Sequence, residues 1–436
     1  MKLIRPNKSV LNFLMVVLLA LVTVVGCSNI NWGRANGEQA GIPPIPETLF
    51  GMHMHRVATT GTFESDRHIK TLSPWPDVPF ATWRLMAAYV EWFELEPAQG
   101  QWNFEILDKS VALAEENNVE ILLPLGLTPR WASARPDERS VYGPGRAAEP
   151  RNIEDWRNYV RTVANRYKGR VRYYELWNEA NWNDFFTGTI EKMLELSREA
   201  YQVLKEVDPE IVVVSPSAAN LAFKGNQGLI WLDEYLAKGG GDYADVIGYH
   251  FYINVHPPER FVPVIRQAQE IMAKYGQGDK PLWNTEAGWL GNQPVRSDEQ
   301  AAAFVARAYI LHWDTGVSRF YWYSWDNRGT TVPMVEEDRA TLRPAAIAYG
   351  ETYKWLVGAR MSPCTTNAEK TWTCKLQRDR GYTGWIIWNP ERQVTFELPE
   401  DWQVRQIRDL NGDTRNWRER KIEIGPSPLL LENATS

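Results

Sequence analysis

The sequence predicts an α/β fold, a (β/α)8 TIM barrel, followed by a small C-terminal all-β module of β-sandwich-like pattern. Three observations predict it. Eight apolar, β-rich runs (49–56, 80–86, 120–126, 171–180, 210–218, 245–252, 280–289 and 319–326) start 31 to 51 residues apart and alternate with helix-length segments. Such alternation marks βαβ units around a parallel sheet. Runs such as Ile211-Val212-Val213-Val214 are apolar throughout, as strands covered on both faces are. No glycine-rich phosphate loop follows the first run, which disfavours a doubly wound open sheet.

In chain order, residues 1–26 read as an export signal. Lys2, Arg5 and Lys8 precede a 13-residue apolar stretch from Phe13 to Val25, short for a membrane span and suited to a signal sequence. The stretch ends at Val24-Val25-Gly26-Cys27. This resembles a bacterial lipobox, and the resemblance implies cleavage before Cys27, acyl chains on it and attachment to a membrane outside the cytoplasm. Two or more chains anchor stably where one does not. Residues 27–47, rich in Gly and Pro, read as a flexible tether.

The barrel is expected over 48–357. Helix signals fill the intervals between its strands. Asn103 precedes the apolar positions Ile106, Leu107 and Val111, and Pro209 follows a helical run ending near Val207. Ser297-Asp298-Glu299-Gln300 is a capping-box pattern ahead of an Ala-rich helix. Over 358–436 the period changes. Runs 371–376, 382–388, 394–398 and 421–424 alternate or are apolar, with turns at Asn389-Pro390 and Asn411-Gly412. This module is expected to pack on the barrel. Cys364 and Cys374 lie within it, and in an exported chain they are expected to form a disulfide.

Composition excludes some functions. The 436 residues carry a net charge of −6, so no basic surplus is available to neutralise a phosphate backbone, and nucleic acid is not an expected partner. Tryptophan is abundant, with 21 Trp beside 18 Tyr and 14 Phe. Flat aromatic faces suit the C–H faces of sugar rings, although many of these rings must be core.

Barrel active sites stand at the C-terminal ends of the strands. The fourth run ends Glu175-Leu176-Trp177-Asn178-Glu179 and the seventh Trp283-Asn284-Thr285-Glu286. Two carboxylates thus aim at one mouth, the pair that glycoside cleavage uses as acid and nucleophile or base. An Asn-Glu dipeptide alone carries little; the pairing at the ends of the fourth and seventh runs carries the argument. Here the sequence resembles the clan A glycoside hydrolases along 48–357, and within them family 39, the β-xylosidases and bacterial exopolysaccharide glycosidases. The resemblance implies Glu179 as acid/base and Glu286 as nucleophile of a retaining double displacement on a β-linked poly- or oligosaccharide, with no cofactor. It implies that Asn178 binds the sugar 2-hydroxyl. His250 and Tyr252 match a His-x-Tyr pair, with Tyr252 on the nucleophile. The resemblance further implies that Arg84 lies near the nucleophile and that Trp325 forms an aromatic floor under the sugar. Ala180 departs from a Pro common in relatives.

Other residues stay open. His53-x-His55 shares one strand face and suits either a sugar contact or a metal-dependent amidohydrolase, whose further strand-five histidine is absent from 210–218. Trp131, Trp182 and Trp289 are candidates for neighbouring sugar subsites or for core. A carbohydrate-binding lipoprotein with an inactive barrel and a transglycosidase are the remaining rivals.

Overall fold

The computed structural model describes residues 42–60, 71–220, 227–253, 256–290, 295–327 and 330–434. The signal segment 1–26, Cys27 and the tether up to residue 41 lie outside the described residues. No described helix is long and apolar enough to cross a membrane.

All eight expected barrel strands form. They are β1 (Phe50–His53), β2 (Thr82–Arg84), β3 (Glu120–Leu125), β4 (Tyr173–Leu176), a fifth strand in two pieces, β5 (Val212–Val214) and β6 (Ala218–Ala219), then β7 (Ile247–His250), β8 (Leu282–Ala287) and β9 (Val317–Trp322). All pair in parallel, in the order β5-β4-β3-β2-β1-β9-β8-β7-β6. A bridge from Val214 to Val246 links β5 toward β7 and closes the cylinder. The fifth run was expected as one strand. Its interruption falls at Ser215-Pro216-Ser217, where proline has no N–H to give to a ladder.

The helices are α1 (Trp92–Leu95), α2 (Glu105–Glu116), α3 (Ile153–Arg166), α4 (Ile190–Val207), α5 (Gln227–Ala237), α6 (Phe261–Lys274), α7 (Asp298–Asp314) and α8 (Pro344–Leu356). Their starts follow the local chemistry. Ser297 Oγ accepts from Gln300 N at 3.1 Å, while Gln300 Oε1 accepts from Arg296 N at 2.7 Å, a capping box shifted by one residue on its return bond. Asn103 Oδ1 accepts from Glu105 N, and α4 ends at Val207 before Pro209, as the sequence reading expected.

Leu122, Tyr173, Val214, Val246, Trp283 and Tyr321 fill the barrel interior. Below them the Arg319 guanidinium lies 4.2 Å from the Tyr173 ring and 4.4 Å from the Trp283 ring, a cation–π plug paired to Glu120 at 2.7 Å. The bottom of the cylinder is therefore filled, and the polar side chains gather at the opposite end.

The C-terminal module is antiparallel. One sheet holds β10 (Arg360–Met361), β11 (Thr365–Thr366), β12 (Trp372–Gln377), β13 (Thr383–Trp388), β15 (Gln406–Arg408), β16 (Thr414–Asn416) and β18 (Leu429–Glu432); a second pairs β14 (Val394–Glu397) with β17 (Lys421–Ile424). The module packs on the barrel as expected. Met361, Cys374, Leu376, Ile386 and Trp388 share one core cluster with barrel residues. Arg378 donates to the carbonyls of Lys354, Trp355 and Val357 at the end of α8. Buried Arg307 of α7 and Trp388 Nε1 of β13 both bond Glu259, stitching the seam.

The expected Cys364–Cys374 disulfide is formed and ties β11 to β12. Closing so short a loop removes unfolded-state entropy worth about 3 kcal/mol. A C364S/C374S variant is expected to lower the midpoint of thermal unfolding by several degrees while far-ultraviolet circular dichroism at 25 °C stays as in the wild type.

Candidate active site

The polar cluster begins with Arg84 at the end of β2. Its guanidinium is fully buried and each arm has its own acceptor: Nε donates to Glu175 Oε2 at 2.5 Å, Nη1 to Glu286 Oε2 at 2.8 Å, and Nη2 to Asn178 Oδ1 at 2.8 Å. Burial alone would lower its pKa, but Glu175 and Glu286 outweigh that and hold the pKa up. One cation thus joins the ends of β2, β4 and β8.

After β4 the backbone takes two unusual steps: Trp177 has φ 77° and Glu179 has φ 45°. These left-handed conformations are costly for residues with a Cβ and cluster at functional sites. Gly126, at the end of β3, makes room for the first. A Cβ there would meet the Trp177 ring at 2.8 Å, so only glycine fits. The turn brings Glu179 into the mouth, where its Oε1 lies 3.0 Å from His250 Nδ1. Glu286 Oε1 accepts from Tyr252 at 2.7 Å. Oxygens of Glu179 and Glu286 and a ring nitrogen of His250 all lie within 4.8 Å of one another.

Burial, then the charge of Glu286, push the Glu179 pKa well above the usual carboxylate range, with Arg84 opposing. Burial also raises Glu286, but there Arg84 and the Tyr252 hydroxyl come next and work against the rise. The environments therefore separate the two acids: both are raised, Glu179 well above the usual carboxylate range and Glu286 against the opposing pull of Arg84 and Tyr252. Burial and Arg84 hold His250 well below its ordinary range, so it is neutral.

Glu179, His250 and Glu286 are also the one three-donor group among the described residues close enough to surround a metal ion. Part of this donor set is already engaged: Glu286 by Arg84 and Tyr252, and Glu179 Oε1 by His250 Nδ1. A buried guanidinium in contact with the set repels a second cation. The donors suit proton and covalent chemistry better than metal ligation.

His53 and His55 flank the mouth without forming a metal pair. His53 Nε2 faces Thr285 O at 3.1 Å, and burial keeps the ring neutral. His55 Nδ1 lies 3.3 Å from Asp326 Oδ1, and Asp326 also accepts from the backbone N–H groups of His55 and Arg56 and from Ser73 Oγ. Trp325 is buried after β9, its backbone N–H donating to His53 O at 2.9 Å. Its ring borders a cavity of about 280 Å³ that it shares with Asn327, Pro333, Glu336 and Arg343. Trp131 is half-buried, with Nε1 on Glu96 O at 2.8 Å and an edge-on contact to Trp92. Trp289 is core, packed among Phe261, Phe304 and Trp322.

The sequence reading did not single out four residues that the structure adds. Glu175 is fully buried; beyond Arg84 it accepts from Ser217 Oγ and, at 2.9 Å, from Thr285 Oγ1. A carboxylate inside an apolar strand was the available signal. Tyr323, after β9, lies edge-on to His53 and His55 at 5.3 and 5.4 Å between ring centres. Tyr142, in the segment after β3, feels first its burial, then Glu91, Tyr323, Glu286 and Glu179, all raising its pKa. Glu91, the fourth, precedes α1.

Residues 82–327 match the family described as Glycosyl hydrolases family 39. The chain belongs to glycosyl hydrolases family 39. Among curated relatives, a β-xylosidase of Caldicellulosiruptor saccharolyticus is 28% identical over 176 residues, 37% of this chain and 34% of the relative. Endo-1,4-beta-xylanase C of Paenibacillus barcinonensis is 24% identical over 207 residues, 42% of this chain and 18% of the relative. The match thus spans about a third or less of these relatives. Among solved structures, a family 39 glycoside hydrolase from Bacteroides cellulosilyticus aligns with TM-score 0.66 at 20% identity, covering 81% of this chain and 75% of that one. A family 39 β-xylosidase from Caulobacter crescentus aligns with TM-score 0.63 at 14% identity, covering 90% and 98%. The structural likenesses bear on the fold.

Glu91 offers a test independent of chemistry. Burial raises its pKa from 4.5 to about 7, and its Oε1 has no hydrogen-bond partner among the described residues. Below pH 4.5 the acid is protonated folded or unfolded, and it costs nothing. Between there and pH 7 only the unfolded chain ionises it, so stability falls; above pH 7 the loss is complete, at about 3 kcal/mol. Glu91→Gln is expected to reduce the drop in unfolding free energy between pH 5 and pH 8. An unchanged drop in denaturant titrations contradicts the assignment.

Proposed function

We propose that this protein is a glycosidase that cleaves β-linked poly- or oligosaccharides with retention of anomeric configuration, with Glu286 as nucleophile and Glu179 as acid/base. The observation that carries the reading is the approach of Glu179 and Glu286 oxygens to within 4.8 Å. Retaining pairs stand about 5–5.5 Å apart, whereas inverting pairs leave room for a water at about 6.5–9.5 Å.

In the first step Glu286 attacks the anomeric carbon while the glycosidic C–O bond breaks, and the Glu179 proton passes to the departing oxygen. Arg84 and Tyr252 keep Glu286 charged and aimed. In the second step water attacks the glycosyl ester, Glu179 takes its proton and Glu286 leaves as carboxylate. Esterification removes the Glu286 charge that raised Glu179, so Glu179 ionises more readily when it must act as base. Asn178, its carbonyl pinned by Arg84, has its amide N–H group left for the sugar 2-hydroxyl. His55 and His53 lie beside this pair as further sugar contacts. β-Xylosides are the first substrates to examine, since the curated relatives carry those names. The reading also places the enzyme outside the cytoplasm, held by acyl chains on Cys27. The lipobox-like sequence and the Cys364–Cys374 bond, which suits an oxidising compartment, support this.

Glu286→Gln is expected to abolish turnover while glycan binding, read by calorimetry, persists; turnover at the wild-type rate refutes the nucleophile. Glu179→Ala is expected to cleave aryl glycosides with good leaving groups at least 100-fold better, relative to wild type, than natural glycans, on the scale of about 10²–10⁴ for general acid help. Uniform loss on both contradicts the acid role. Proton NMR of the first-formed product should show the substrate's own anomeric configuration. In a bacterial host, Cys27→Ser is expected to move the protein from the membrane to the soluble exported fraction; persistence in the membrane contradicts the anchor.

A further inference from the structure

The double displacement leaves the buried carboxylate that is bonded to Arg84 Nε without a task. Glu175 stands four residues before Glu179 on β4 and touches neither the anomeric carbon nor the leaving oxygen in the scheme above. Yet its two oxygens are fully committed. Oε2 takes Arg84 Nε at 2.5 Å, Oε1 takes the Ser217 and Thr285 hydroxyls, and Oε1 lies 4.0 Å from His250 Nε2. We propose that Glu175 is a positioning residue that sets the charge of the site: by occupying Arg84 Nε it hands the two outer guanidinium nitrogens to Glu286 and Asn178, and its own negative charge balances that of the guanidinium. This rests on the reading of Glu179 as acid/base.

The argument is one of charge counting in a closed space. Before the first step the buried cluster holds Glu175 and Glu286 as anions, Arg84 as cation and Glu179 as neutral acid, one net negative charge. In the glycosyl-enzyme Glu286 is an ester and Glu179 an anion, and the count is again one negative charge. The reaction moves the charge from Glu286 to Glu179 without changing the total. Were Glu175 neutral, Arg84 would face Glu286 and Glu179 alone. An uncompensated guanidinium favours ionised carboxylates, so Glu179 would lose its proton at lower pH than in the wild type, and the first step would lose its acid earlier as pH rises. His250 carries the same message on the other side. It is neutral, with Nδ1 on Glu179 and Nε2 without a hydrogen-bond partner among the described residues, so it supplies no second cation to offset Glu175.

The groups facing these acids come from every neighbouring element. Glu179 meets Arg84 of β2, Glu175 of β4, Asp184 beyond it, His250 of β7 and Glu286 of β8, with the Tyr142, Tyr252 and Tyr323 hydroxyls nearby. Glu286 meets Arg84, Tyr252, Glu175 and His55. For both acids, the charge of Glu175 acts to raise the pKa.

The test is the pH dependence of kcat/KM on an aryl β-glycoside for the full chain. In Glu175→Gln both limbs of the bell are expected to move to lower pH, by about one unit, and in Glu175→Asp, which keeps the charge, the limbs are expected to stay within a few tenths of wild type. A merely structural role predicts a drop in height with the limbs in place, and that outcome, or limbs displaced equally in both variants, overturns the proposal. If Glu175→Gln does not fold, Ser217→Ala gives the second reading. It strips one hydroxyl from Glu175 and leaves its charge less screened, so the basic limb is expected to rise; a fixed or falling limb overturns the proposal. The acid/base reading fails by a different sign, uniform loss in Glu179→Ala, so the two failures are distinguishable.

Discussion

A guanidinium with no access to water organises this barrel mouth. Burying a charge costs several kcal/mol unless its donors find matched acceptors, and Arg84 finds three, on Glu175, Glu286 and Asn178. The partners come from two other strands, so the pairing holds only if β2, β4 and β8 end at the same height around the cylinder. The parallel register provides that height, and the plug of Arg319, Tyr173 and Trp283 at the opposite end keeps the interior from collapsing or filling with water. Fold and site therefore share one constraint: the charge is tolerable only in the completed barrel.

The same cation divides the labour between two chemically identical side chains. Glu286 touches Arg84 and Tyr252; Glu179 touches a neutral histidine. Burial raises both, and direct contact with positive charge and a phenol O–H counteracts it in Glu286. The left-handed turns at Trp177 and Glu179 are part of the same arrangement. They lift the second glutamate off the line of its strand and aim it across the mouth, a strained path that Gly126 makes sterically possible. Among the described residues, the β module adds none to this cluster. It shares the barrel's outer core and bonds to the turn before α6, to α7 and to α8 through Glu259, Asp314 and the carbonyls at the end of α8, bracing the helices around β8 and β9.

Legibility varied with the range of the interaction. The eight strands, the cap at Ser297, the end of α4 before Pro209 and the disulfide were readable because each depends on hydrophobic period, a side chain's own backbone or a compartment. The break in the fifth strand was marked by Pro216 inside an apolar run and was missed, because the run's hydrophobicity outweighed a single residue. The short strands β10, β11, β15, β16 and β18 carry two to four residues each and too little pattern to register. Trp289 and Trp131 look alike in sequence, each just past a strand; only packing shows that the first is core and the second anchors to Glu96 O.

The sequence by itself determined the class of fold, the membership of two glutamates in one mouth and the separate all-β tail, since alternation and strand order are written in residue type and spacing. The tertiary structure alone decided which arm of Arg84 meets which acid, that Glu175 is a member of the cluster, and that Tyr323 and Tyr142 surround it. The reason is physical: these are contacts between atoms tens to hundreds of residues apart, and their energies depend on ångström-scale separation and on burial, neither of which exists until the cylinder has closed.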